Sequence, residues 1–531
     1  MKSLHTAVLI LAATLGVVRC QSAEKPNADL AQQGQWLTYS GDYSGRRHSP
    51  LAQITRSNVS KLRPEWTFAP GEEGPLEASP LVVDTGMYLT GISNTAWAID
   101  GRSGREIWRY TRQLSGELRL CCNASNRGFA MHGDRLFMAT LDAHLIALDR
   151  RTGTVLFDVV IDKPDAGYSA SAAPLVVGDK VVVGISGGEF ASRGFLDAYD
   201  VQTGARRWRF WTVPLPGEQG SETWPADSSH RGGGTTWLTG TYDDTLNLLY
   251  WGTGNPTPPF DGSQRKGDNL YTNSLVALDA DTGALRWHYQ FTPHDTHDWD
   301  ANQIPVLADL PIDGRLRKVV MFANRNGFFY VLGRENGDLV LAKPFVKTTW
   351  ATEIGADGRP VELPGQDPTE TGSLTCPDDH GGTNFMSPSF DPMRRIFFVT
   401  ARETCSRFFT RPSRTVQVGA RTMGGHVQGI AQMRSGALRA IDPSTGSIKW
   451  DVPYRRPGWA GVLSTATGLV FSADDRGKFM AVDADNGREL WQHEMGQNMR
   501  AAPVTYLIDG RQFVAIASYS RLTAFALPTS N

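Results

Sequence analysis

Six segments of the chain fit one template: AIDGRSGREIW ending at Trp108, ALDRRTGTVLF at Phe157, AYDVQTGARRW at Trp208, ALDADTGALRW at Trp287, AIDPSTGSIKW at Trp450 and AVDADNGRELW at Trp491. Each has Ala, one apolar residue, Asp, a turn ending in Gly, and an aromatic at a fixed distance after the Asp. Several lie about 40–50 residues apart, the spacing of a repeat architecture. The apolar alternation before the Asp reads as a strand, and the Asp and Gly as a tight turn. The aromatic on the returning strand then packs between neighbouring units. Two weaker members fill the gaps: PEWTFA around Trp66, which lacks its own turn, and YVLGRENGDLVLAKPF, where Gly333 replaces the Asp and Phe345 the Trp. Six and two make eight units, which predicts an all-β fold, an eight-bladed β-propeller with tryptophan-docking repeats. FVAIASYSRLTAFAL is expected to close the ring against WLTYSGDYSGRRHSPL. Pro214–Gly234 and Lys347–Thr383 are expected to be loops on one face, where function concentrates.

Composition supports a large aromatic core joined by tight turns, with 15 Trp and 55 Gly. Lys and Arg number 53 against 55 Asp and Glu, a net charge of -2, so nothing draws the chain generally to nucleic acid or an anionic membrane. The N-terminus MKSLHTAVLILAATLGVVRCQSAEK reads as an export signal. Its apolar run, Thr6 to Val18, is too short to span a bilayer, and no later segment is long enough. Cleavage near Ala23 divides the chain into a signal peptide, 1–23, and a single domain, 24–531, expected to be soluble and periplasmic. Arg19 stands where a lipoprotein signal places a small residue, which argues against lipidation of Cys20. Four cysteines then remain in an oxidising compartment: Cys121, Cys122, Cys376 and Cys405. Neighbouring Cα atoms sit about 3.8 Å apart, below the roughly 4.4–6.8 Å usual for a disulfide. A Cys121–Cys122 bridge must therefore distort the peptide, and reduced thiols or pairing with Cys376 and Cys405 stay open. The repeat alone fits a non-catalytic scaffold of the outer-membrane assembly lipoprotein type equally well.

The repeat does not call for the Cys pair, for TPHDTHDWDANQ (292–303), or for SGGEF, GGGTTW and WGTGNP. Glu189 in SGGEF and Asn255 in WGTGNP offer hard oxygen donors from different repeats, although either alone reads as a surface or turn residue. TPHDTHDWDANQ holds Asp295, Asp298 and Asp300 with His294 and His297 between them. Read alone it is a polar loop of cap and turn residues. Its two histidines invite a zinc reading, but no third nitrogen or thiolate ligand keeps a suitable spacing.

Taken with the opening WLTYSGDYSGRRHSPL and the order of all these motifs, the chain resembles the pyrroloquinoline quinone (PQQ)-dependent alcohol dehydrogenases of the methanol and ethanol dehydrogenase family. The resemblance covers nearly the whole mature chain. It implies that Cys121 and Cys122 form a vicinal disulfide flat against one face of the quinone, with Trp237 of GGGTTW stacked on the other. Cys376 and Cys405 match a second bridge that ties down the long loop ending near Asn384. A metal ion, a lanthanide or alternatively calcium, is expected on Glu189, Asn255, Asp298 and Asp300. Asp298 takes the place of the catalytic base. Asp300 matches the extra acid of lanthanide-using members, with a salt bridge to a nearby Arg as its alternative. His297 departs from the pattern, standing where a Trp or Tyr is frequent. Glu77 in PLEASPL, Arg127, Ser171 in SASAAP, Ser186 with Gly187 and Gly188, Thr235, Asn384 in GGTNF and Trp459 in GWAG match positions around PQQ. Arg325 in ANRNGFF matches the basic residue beside the quinone oxygens. Buried alone, such polar groups are costly, and an anionic cofactor satisfies them.

The implied chemistry is oxidation of an alcohol to the aldehyde, with Asp298 removing the hydroxyl proton, the metal acting as Lewis acid and the cofactor doing the redox work. No Cys-x-x-Cys-His motif occurs, so the expected acceptor is a separate c-type cytochrome rather than a fused haem domain. Small-alcohol members close the pocket with a tryptophan-bearing C-terminal segment; here no Trp follows Trp491, and a roomier pocket is expected. The resemblance also allows a homodimer, and it leaves the alcohol itself open.

Overall fold

The computed structural model describes residues 34–72, 74–114, 118–226, 232–411 and 416–529. The expected signal peptide and Cys20 lie outside them. The fold is all-β and of propeller type, with eight sheets of four or five strands among the described residues. Six sheets are built from strands consecutive in the chain, and a seventh adds the N-terminal strand His48–Ser49 beside Leu463–Thr465. The eighth joins Arg63–Phe68 to the C-terminal strands Val504–Ile508, Arg511–Ala517 and Leu522–Ala526.

The template has a direct physical meaning. At the second unit, Asp149 Oδ1 accepts the N–H groups of Arg151 (3.0 Å) and Thr152 (2.9 Å), and the Asp149 carbonyl accepts the N–H of Gly153 at 2.8 Å. The repeat glycines lie at φ between 70° and 77°, a left-handed conformation that costs glycine little. Their missing side chain also leaves a seat. A Cβ on Gly153 would stand 2.8 Å from the Trp108 ring, and Trp108 Nε1 donates to the Arg150 carbonyl at 2.9 Å. Trp66 sits on Gly104, Phe157 on Gly204, Trp208 on Gly283, Trp287 on Gly337 and Trp450 on Gly487 in the same way. Trp491 donates to the Leu62 carbonyl at 3.2 Å, just before Arg63–Phe68, so the keying returns to its start.

Three expectations are corrected. Phe345 does not take the aromatic seat of the fifth unit: Leu341 pairs with Val331 at the register of the tryptophans, and the Leu341 and Lys343 side chains cover Gly446, while Phe345 is buried elsewhere in the core. The closing partner of the C-terminal strands is PEWTFA, with Arg63 opposite Ala526. The segment WLTYSGDYSGRRHS instead laces together first strands of several sheets. Tyr242 N–H donates to Tyr43 O, Leu307 to Ser44, Phe390 to Arg46 and Ser464 to Arg47. Lys347–Thr383 is also not all loop, because Ala351–Ile354 pairs with Pro360–Glu362 and Ser373–Thr375 joins the strand Ile396–Thr410. That 15-residue strand and its 17-residue partner Gly425–Ile441 outrun every other strand. They carry residues 416–424 across the structure, where Thr422 N–H meets the Glu189 carbonyl at 2.7 Å.

Candidate active site

Cys121 and Cys122 form a disulfide, with Cα atoms 3.8 Å apart, and a second disulfide joins Cys376 to Cys405. The vicinal pair faces a cavity of about 640 Å³. Arg127, Ser171, Ser186, Gly187, Glu189, Thr235, Trp237, Asn255, Asp298, Asp300, Arg325, Asn384 and Trp459 line the same cavity. Fifteen of the seventeen residues singled out from the sequence thus share one wall. The other two stand directly behind it. Glu77 is buried between Arg127 Nη2 (2.9 Å) and Arg500 Nε (2.8 Å), both from cavity residues. Gly188 leads the one-turn helix Gly188–Phe190 that presents Glu189, and it packs beside Thr235, whose Oγ1 lies 3.4 Å from where a Cβ would stand.

Cations and aromatics alternate around this space. The Arg127 guanidinium lies 5.3 Å from the Trp237 ring and donates to Ser171 Oγ at 2.9 Å. Arg325 lies 5.9 Å from the same ring. Arg127 and Arg325 each keep a buried Nε without a hydrogen-bond partner. Trp459 stacks on Phe385 with centroids 5.4 Å apart. Flat rings, buried guanidiniums with spare donors and small polar groups suit a planar anion, and PQQ is one.

The acids gather at the same place. The Glu189 carboxylate lies within 4.8 Å of both Cys121 and Cys122 sulfurs. Asp298 adopts φ 64°, a left-handed conformation that Asp tolerates better than most residues but that needs a surrounding structure to hold it. Arg325 Nη1 supplies part of that hold, donating to the Asp298 carbonyl at 2.8 Å and to Asp300 Oδ2 at 2.7 Å. Trp237 Nε1 also donates to Asp300 Oδ2, at 3.0 Å, and Asn255 N–H donates to Asp300 Oδ1 at 2.7 Å. The salt-bridge alternative for Asp300 is therefore realised, although Oδ1 keeps an open lone pair. Among the described residues none donates a hydrogen bond to the Asp298 carboxylate. Burial, reinforced by mutual repulsion, pushes the Asp298 carboxyl well above the usual carboxylate range and raises Glu189; burial also raises Asp300, against the pull of Arg325. Glu189, Asn255, Asp298 and Asp300 present oxygen donors and excess negative charge to one cavity, a chemistry that suits a hard cation.

His297 and His294 do not converge as zinc ligands. His297 stacks on Trp299 (centroids 4.2 Å) and its Nε2 meets the Gln366 carbonyl, while His294 Nδ1 meets the Gly267 carbonyl. The imidazole of His297 thus fills the place of an aromatic ring as a packing element.

The raised carboxyls have a consequence for stability. Their folded pKa values exceed the unfolded ones, so the stability they contribute is present at low pH and is lost as pH rises through the folded values. Metal-free Asp298→Asn is therefore expected to melt above the metal-free parent, by a margin that widens from about pH 5 to about pH 7. Scanning fluorimetry of both proteins checks this; a margin that shrinks with pH contradicts the assignment.

Asp379, His380, Arg421, Met423, His426 and Arg500 also line the cavity and were not found in the sequence. Most sit on the Cys376–Cys405 loop or the long hairpin, outside the repeat that made the other motifs stand out.

The chain is similar to known proteins over nearly its whole length. The family described as "PQQ: Glucose/ethanol/alcohol dehydrogenase, beta-propeller domain" matches residues 36–348 and 430–514. The quinohemoprotein alcohol dehydrogenase ADH IIB of Pseudomonas putida is 40% identical, over 97% of this chain and 78% of its own length. The lanthanide-dependent methanol dehydrogenase of Methylacidiphilum fumariolicum (strain SolV) is 36% identical, over 96% and 89%. A solved structure, a europium-containing methanol dehydrogenase, superposes with a TM-score of 0.89 at 34% identity, covering 93% of this chain and 98% of that one. Fold and site define a quinoprotein oxidoreductase. The chain belongs to the PQQ-dependent alcohol dehydrogenase family, and its reaction is the PQQ-dependent oxidation of an alcohol.

Proposed function

We propose that the cavity beside Cys121–Cys122 is where a primary alcohol is oxidised to the aldehyde. PQQ is bounded there by the disulfide, Trp237, Arg127, Ser171, Ser186, Gly187, Gly188, Thr235, Asn384 and Trp459, with Glu77 setting Arg127. Glu189, Asn255 and Asp298 hold a metal ion, and Asp300 joins them through its open oxygen. The observation that carries this reading is the convergence of Glu189, Asp298 and Asp300 with Arg325 in one cavity that the vicinal disulfide also lines. When bound, PQQ supplies the electron-pair acceptor and the metal ion the Lewis acid. Asp298 takes the hydroxyl proton, its carboxylate unencumbered by donors. Arg325 fixes the Asp298 main chain and would offer its guanidinium to the quinone. The ring of aromatics excludes water.

Eight sheets keyed from Trp66 round to Trp491 support reading 24–531 as one eight-bladed ring. No helix among the described residues is long and apolar enough to cross a membrane, and the two disulfides suit an oxidising compartment, here the periplasm behind a cleaved signal, 1–23. Electrons then pass to a separate c-type cytochrome.

The test is reconstitution. PQQ with calcium, and PQQ with lanthanum, are added to purified protein, and absorbance and alcohol-dependent dye reduction are followed. Quinone binding with turnover is expected. No quinone binding under either metal would restore the scaffold reading.

A further inference from the structure

Arg402 lies in the long strand Ile396–Thr410 and is fully buried, 0% exposed. Its Nε, Nη1 and Nη2 have no hydrogen-bond partner. The nearest carboxylate oxygen, Asp378 Oδ2, is 3.8 Å away, and the other oxygen of Asp378 is occupied by the N–H groups of His380 and Gly381. The guanidinium lies instead over the Trp459 ring, 4.2 Å from its centroid. Trp459 lines the cavity; Arg402 does not. Burial pushes the Arg402 pKa down to about 10, which leaves it charged at neutral pH.

A buried charge held this loosely is costly to the fold, and an isolated packing role would be served by an apolar side chain. Three cations that line the cavity are balanced more closely. Arg325 has Asp300 at 2.7 Å, and Arg127 and Arg500 share Glu77. Arg402 is a fully buried cation with no hydrogen-bonded counter-charge, and one aromatic ring separates it from the cavity.

We infer that Arg402 is a positioning residue for the anionic cofactor: it fixes the Trp459 ring by a cation–π contact and places a positive charge behind it, so that the pocket prefers a polycarboxylate. This rests on the PQQ reading of the cavity. It adds a group that touches neither cofactor nor substrate. A desolvated cation–π contact together with the loss of one nearby charge corresponds to about tenfold in affinity.

The experiment titrates PQQ, and separately its uncharged trimethyl ester, into the metal-loaded, PQQ-free full-length protein, following quenching of tryptophan fluorescence. Arg402→Met is expected to weaken PQQ binding about tenfold and to weaken the ester much less, with unchanged circular dichroism. Arg402→Lys should recover most of the loss. Asp378→Asn, which strips Arg402 of its nearest counter-charge, should tighten PQQ binding, the opposite sign, and it serves as the deciding variant if Arg402→Met does not fold. Arg402→Met within twofold of the parent, equal losses for PQQ and ester, or looser binding by Asp378→Asn would each overturn the inference while leaving the PQQ site standing. A parent that binds no PQQ overturns both.

Discussion

Asp298→Asn is expected to keep PQQ and metal bound and to lose turnover by about two orders of magnitude or more, the loss usual for removal of a general base. The substitution preserves size, and Asn accepts the left-handed backbone as readily as Asp, so the φ of 64° is no obstacle. The N–H···O contact from Arg325 is to the main-chain carbonyl and survives the change. The proton acceptor and one negative charge at the metal disappear, while an amide oxygen remains for the ion. Steady-state dye reduction, paired with a PQQ titration to establish occupancy, makes the measurement. Activity within a few-fold of the parent would remove Asp298 from the role. The sequence offers Asp295 as the next acid, but Asp295 is committed to its own loop. Its two oxygens accept the N–H groups of His297 and Trp299, both at 2.9 Å, and Asn273 Nδ2. Asp379, on the cavity wall and close enough to raise the Asp298 carboxyl further, is the better second candidate.

What could be read from the residues follows the repeat. Asp, Gly and Trp recur because one turn and one seat recur, so the strands and their keying were legible from spacing alone. The fifth unit failed because Leu341 and Lys343 cover Gly446 with aliphatic stems, and a search for an aromatic slides past them to Phe345. The closing strand was misplaced because PEWTFA lacks the turn that marks other units. Site residues within repeat intervals, such as Glu189, Asn255 and Asp298, carried recognisable motifs. Asp379, Arg402, Arg421 and His426 lie in 349–429, which neither the repeat nor the family match covers. Their position depends on the Cys376–Cys405 bridge and on a hairpin whose length no local pattern announces.

The metal preference turns on Asp300. A trivalent ion carries more charge than calcium and favours an additional carboxylate beside Glu189 and Asp298. In this structure Asp300 Oδ2 is filled by Arg325 and Trp237, whereas Oδ1 has only the Asn255 N–H. One oxygen therefore remains to face a cation, on the side of Asn255, another expected ligand. Lanthanum or cerium is expected to support higher activity than calcium. Asp300→Ala is expected to lower lanthanide-supported activity by about 10–100-fold, the range seen when groups around a metal are removed, and calcium-supported activity much less. Removing Asp300 also frees Arg325, so Asp300→Asn, which can still accept from Arg325 and Trp237, separates the lost charge from the lost hydrogen bonds. If Asn behaves like Ala, the carboxylate's charge at the metal is what matters. If Asn behaves like the parent with both metals, Asp300 serves only to anchor Arg325. Equal or better turnover with calcium in the parent, after removal of trace metals, would show that the pair with Arg325 is the whole of its role.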